Sequence, residues 1–152
     1  MISAAPHLSP RLIAKSLDEL RAWQLPEQDD LAGLHRGVLK ALLATDALTS
    51  LQLPLEMRSP RLEDSREQAH WTVVAGLLEQ AEGTLCGVPY RARIARLHRT
   101  FPGHAAQLER LRRQAAQHVR RLRVRVDFVC QGSGAVEPAG EPTTAPSTSL
   151  LQ

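Results

Sequence analysis

Residues 108–132 read LERLRRQAAQHVRRLRVRVDFVCQG, and the fold class turns on this stretch. Leu108, Leu111, Ala115, Val119, Leu122, Val126 and Val129 step by three or four, the spacing that lines one face of an α-helix. Val124, Val126 and Phe128 also alternate like a strand. No second convincing strand exists in the chain to pair with them, however, and a strand needs partners to be stable. The stretch therefore reads as a helix that follows a break or kink at Pro102-Gly103 and stops near Gly132.

Upstream, the punctuation is helical too. Ser9-Pro10 places a capping hydroxyl before a proline at the first helical position, and Leu12, Ile13, Leu17 and Leu20 then recur at helical spacing until Pro26 stops the run just after Leu25. Acidic Glu27, Asp29 and Asp30 introduce a second run, Leu31, Leu34, Val38, Leu42, Thr45 and Leu48, which ends before Pro54. Gly33 and Gly37, four apart on it, each weaken a helix unless a neighbouring helix packs closely there. Ser59-Pro60 starts a third helix, with Glu63 in its first turn. Its Leu62, Ala69, Val73 and Leu77 line one face and Trp71, Val74 and Leu78 the other, which predicts a central helix. Gly83, Gly87 and Pro89 predict a loop, and Tyr90 to Thr100 a short basic helix with Ile94 and Leu97 inward.

The chain has 152 residues, enough for one domain with its own core. Hydrophobic residues at 43% and charged residues at 23% are near the globular average, while aromatics are only 3%, which disfavours strands. The reading is an all-α fold: an antiparallel bundle of about four main helices plus one short helix over residues 9–130. A flexible N-terminus is expected over 1–8. A disordered tail is expected over 131–152, where Gly, Pro, Ser and Thr dominate and apolar surface is too scarce to offset ordering entropy.

Cys86 and Cys130 form no regular spacing, and the N-terminus has no basic start before an apolar run, so a reducing, cytoplasmic compartment is expected. The longest uncharged internal run, Gln68 to Leu78, is far shorter than the roughly 20 apolar residues that span a bilayer, so no membrane role is expected.

Charge is the most informative feature. Residues 1–90 carry 8 basic and 12 acidic side chains, whereas residues 91–125 carry 11 arginines and one acid, Glu109. On a helical wheel Arg110, Arg113, Arg120 and Arg121 lie opposite the apolar face of the last helix, and Arg112, Arg123 and Arg125 flank it. Glu109 supports Arg113 at i,i+4. No other acid is in reach along the helix, so this face takes its counter-charge from the acidic first half of the chain, from a partner, or from nucleic acid.

Catalytic chemistry finds little footing. Glu67-Gln68-Ala69-His70 matches one half of a di-iron pattern, with Glu63 a turn earlier, but a second Glu-x-x-His is missing, so no metal or cofactor is expected. His98, His104 and His118 sit among arginines and read as surface or interface residues; His7 and His35 lack a carboxylate nearby. Cys86, in the loop Thr84 to Val88, would act as a nucleophile only if His70 or His98 folded beside it. Phosphate-loop, dinucleotide, nucleophile-elbow and zinc-protease signatures are all missing, and the chain reads as a non-enzyme.

The functional expectation is a small protein–protein interaction or adaptor module. Arg110, Arg113, Arg120 and Arg121 are its partner-binding residues, and it meets an acidic partner or, through the heptad-like seam of a coiled coil, a second copy of itself. A nucleic-acid-binding protein using the same arginines ranks second. The short helix, the Phe101-Pro102-Gly103 turn and the long helix loosely resemble a helix-turn-helix, but few aromatics are at hand for stacking bases. An enzyme of unknown type ranks third.

Overall fold

A computed structural model describes residues 7–25, 31–54 and 65–132. They form five helices: α1 (Pro10–Ala22), α2 (Leu31–Thr49), α3 (Ser65–Cys86), α4 (Val88–Leu97) and α5 (Pro102–Gly132). Among the described residues there is no strand, only an isolated parallel bridge between His7 and Gln52. The expected tail is still helical at Gln131 and Gly132; the rest of it, the Ser59-Pro60 start and the acidic residues before α2 lie outside the described residues.

Helix α1 begins as its sequence dictates. The Ser9 hydroxyl accepts from the Leu12 N–H at 3.4 Å, and Pro10 opens the first turn. It ends earlier than Pro26 implied. Trp23 turns to extended backbone, φ −66° and ψ 122°, and its ring packs against Gly37 of α2 and edge-to-face on Tyr90 of α4 at 5.7 Å. Gly37 thus occupies the close approach expected of it: an added Cβ would stand 2.9 Å from the indole Nε1. Gly33 is half-buried. Of the start expected to be flexible, His7 bridges Gln52 and Leu8 is buried beside the bundle core, while residues 1–6 lie outside the described residues.

The expected loop at Gly83, Gly87 and Pro89 contracts to one residue. Gly83 and Cys86 are inside α3, and Gly87 alone separates α3 from α4, with the Gly83 carbonyl 2.9 Å from where a Cβ on Gly87 would sit. A side chain at Gly87 would collide with backbone there, so glycine permits the sharp turn.

Packing arranges four long helices around one core. Helix α1 contacts α2 and α3, α5 contacts α2 and α3, and α4 lies on α3 and α5. Trp23 meets Gly37 while His7 bridges Gln52, so α1 and α2 run antiparallel. Glu82 meets Arg120 and Arg123 while Leu85 meets Arg112, so α3 and α5 are antiparallel as well. The two hairpins dock with α2 and α5 in the same direction, because the His35 ring packs at a tilt against Phe101, 5.1 Å between centroids, and Leu51 meets His118.

Leu17, Leu20, Leu48, Leu78, Leu85, Leu108 and Val119 are fully buried, each contributing roughly 1.5–3 kcal/mol. In α3 the buried stripe is Trp71, Val74, Leu78, Ala81 and Leu85. Val73 and Ala69 are exposed, so this helix is not enclosed on all sides as its apolar run suggested.

One polar group is buried with care. Thr45 donates its hydroxyl proton to the Ala41 carbonyl at 2.7 Å, which leaves its oxygen to accept from the Tyr90 hydroxyl at 2.7 Å. Burial pushes the Tyr90 hydroxyl up to about 12, so it stays a neutral donor.

Candidate functional site

Helix α5 turns its apolar residues inward as the spacing required: Leu108, Ala115, Val119, Leu122, Val126 and Val129 are all buried. The arginines consequently face outward or sideways, but they divide into two groups. Arg112 is the most buried, its side chain 11% exposed; Nε and Nη2 grip both oxygens of Glu109 at 2.9 and 2.8 Å while Nη1 donates to the Leu85 carbonyl. Arg113 adds a third donor to the same carboxylate at 2.8 Å. These hydrogen bonds, Arg112 first, hold the Glu109 carboxyl down to about 2.

Arg120 takes its counter-charge from the acidic half of the chain. Its Nε donates to Glu82 of α3 at 2.7 Å, and Arg123 places Nη1 2.9 Å from the other Glu82 oxygen, a Coulombic contact outside hydrogen-bond geometry. Neutralisation from the acidic half of the chain therefore occurs, but at two of the seven arginines.

Arg110, Arg121 and Arg125 are exposed, and no carboxylate among the described residues lies within ion-pair reach of them. With Arg113, Gln114 and Gln117 they make a continuous exposed stripe at three- and four-residue spacing. Val124 and Phe128 complete it at the C-terminal end, 58% and 66% exposed. Strand-like alternation of Val124 and Phe128, and base stacking for Phe128, do not reveal this apolar end. The wheel carried the missing clue, since Phe128 follows Arg110 by about five helical turns and returns to the same bearing. Arg91 and Arg96 on neighbouring α4, and Arg99 in the turn after it, are also exposed.

The residues weighed for catalysis stay apart. Cys86 is the half-buried last residue of α3 rather than a loop residue, and no hydrogen bond or ring contact joins it to His70 or His98. Burial and the nearby Asp127 raise the Cys130 thiol above its ordinary value. His70 packs edge-to-face on Trp71 at 4.9 Å, while Glu63 lies outside the described residues. Among the described residues, no three His, Cys, Asp or Glu side chains gather to hold a metal. His118 is half-buried, and its Nε2–H donates to the Leu51 carbonyl, tying α5 to the end of α2. No helix among the described residues is long and apolar enough to cross a membrane.

Fold and surface together define an all-helical bundle that presents an arginine ridge with an apolar end. Compared with protein-family models, curated proteins and solved structures, the chain matches none.

Proposed function

We propose that this protein is a small interaction module whose α5 ridge docks an acidic, partly apolar segment of a protein partner. The observation that supports it is the alignment of Arg110, Arg121 and Arg125, without carboxylate partners among the described residues, with the exposed Val124 and Phe128 on one helix face. Contiguous exposed apolar groups rimmed by like charge are characteristic of interaction surfaces, and arginine and aromatic side chains carry much of the energy at such surfaces.

Charge complementarity selects the partner. A helix or extended segment with Asp or Glu facing the three guanidiniums, and an apolar residue against Phe128, matches the ridge along its length. Nucleic acid is the weaker fit, because Glu109 and Glu82 occupy Arg113 and Arg120. About three phosphate contacts would then give a log-log salt slope of only about −2.7.

The test is affinity capture from nuclease-treated lysate with the parent chain and with an Arg110→Ser, Arg121→Ser, Arg125→Ser variant. The reading expects a protein retained by the parent and lost by the variant, at equal melting temperature. Capture that disappears with nuclease, or that is the same for both chains, removes it.

A further inference from the structure

A groove of about 440 Å³ lies between α1, α3 and α4, away from the α5 ridge, within the usual size range of small-molecule sites. Arg21 and Arg93 reach it from different helices. Each is held by a neutral group: Arg21 Nη2 donates to the Gln80 side-chain oxygen at 3.2 Å, and Arg93 Nη1 donates to the Leu20 carbonyl at 2.9 Å. Arg93 also lies over the Trp23 ring, 5.9 Å from its centroid. No carboxylate among the described residues lines the groove, so two oriented guanidiniums with spare N–H donors stand there without counter-charge.

The rest of the lining is open and mixed: Pro89 is its exposed apolar residue, Gln80 and Thr84 add polar groups, and Leu20 and Tyr90 lie buried beneath as a floor. Gly83, on the α3 side, leaves room: an added Cβ there meets nothing within 4 Å. Packing therefore does not require glycine at this lining position, and a larger residue can be placed beside the groove without a clash at its Cβ.

We infer that this groove binds a small organic anion, a carboxylate or sulfonate, with the acid group on Arg21 and Arg93 and the body against Pro89 and the Gly83–Gly87 turn. The assignment is tested with 1-anilinonaphthalene-8-sulfonate as probe, titrated by fluorescence into the full chain, and with the neutral N-phenyl-1-naphthylamine as its uncharged counterpart. The expected result is one saturable sulfonate site at least tenfold tighter than the neutral compound. Arg21→Gln should weaken it at least tenfold, and Gly83→Leu should abolish it in a chain that melts no lower than the parent. Should Gly83→Leu fail to fold, Arg21→Gln decides alone, since Arg21 is exposed and outside the core. Equal affinity for the neutral probe, unchanged binding by Arg21→Gln, unchanged binding by a folded Gly83→Leu, or no saturable site overturns the assignment.

Discussion

Thr45 and Tyr90 show how much one proton's direction decides. Because Thr45 donates to Ala41, Tyr90 must be the donor in the second bond, and the two substitutions are unequal. Thr45→Val strands a buried phenol and should cost about 1–3 kcal/mol, whereas Tyr90→Phe removes the phenol's need with its bond and should cost about 0.5–1.5 kcal/mol. Urea unfolding of both variants checks the order. Tyr90 also sets an alkaline limit. Its folded pKa is raised from 10.0 to about 12, so the stability it contributes is fully present below pH 10 and declines as pH rises toward 12. Tyr90→Phe should flatten that decline. Gly37 makes the opposite kind of demand. Alanine normally improves a helix over glycine, yet a Cβ here falls 2.9 Å from Trp23 Nε1. Gly37→Ala should lower stability, and Gly37→Leu should cost on the order of 1 to 3 kcal/mol, read from the same unfolding curves. Gly37 was legible from its spacing with Gly33, because a helical glycine requires a reason. The Thr45–Tyr90 bond was not, since nothing local joins side chains on two separate helices.

At the scale of the element, α5 was the most legible part of the chain and also the one misread in detail. Its period and its buried face follow from hydrophobic spacing alone. What spacing along one helix cannot give is the acid that another helix supplies, and so Glu82 was missed as the counter-ion of Arg120 and Arg123. The same limit explains α1, which stops short of Pro26 because Trp23 finds Tyr90 and Gly37 across the bundle. Glu82→Ala should therefore lower the melting temperature by roughly 4–8 °C, while Arg110→Ser with Arg121→Ser should leave it in place, as a thermal scan by circular dichroism would record. Glu109 predicts the acid limb. Its folded pKa lies at about 2, below the ordinary 4.5, so its contribution is present above pH 4.5 and is lost as pH falls toward 2. Glu109→Gln should reduce the slope of stability against pH across that window.

For the whole molecule, helix content and bundle class were written in composition and period, because leucine, alanine and arginine favour helices and nearly every boundary carries a proline or glycine. The arrangement was only half written. Each hairpin is antiparallel, but the parallel docking of α2 beside α5 depends on contacts such as His35 with Phe101 and Leu51 with His118, between residues far apart in sequence. The candidate surface was legible along one helix and illegible between helices: the wheel placed Arg110, Arg121 and Phe128 outward and Glu109 beside Arg113, whereas the tethering of Arg120 by Glu82 is a tertiary fact. The central claim, that the α5 ridge meets an acidic protein, is tested most directly by a photo-crosslinking residue at exposed Gln117, in the middle of the ridge, with the same residue at exposed Leu39 on α2 as reference. The account predicts a nuclease-resistant protein adduct from position 117 that is absent from position 39 and disappears when Arg110, Arg121 and Arg125 are changed to serine. An adduct to nucleic acid, an adduct of two copies of this chain, or equal labelling from both positions would contradict it.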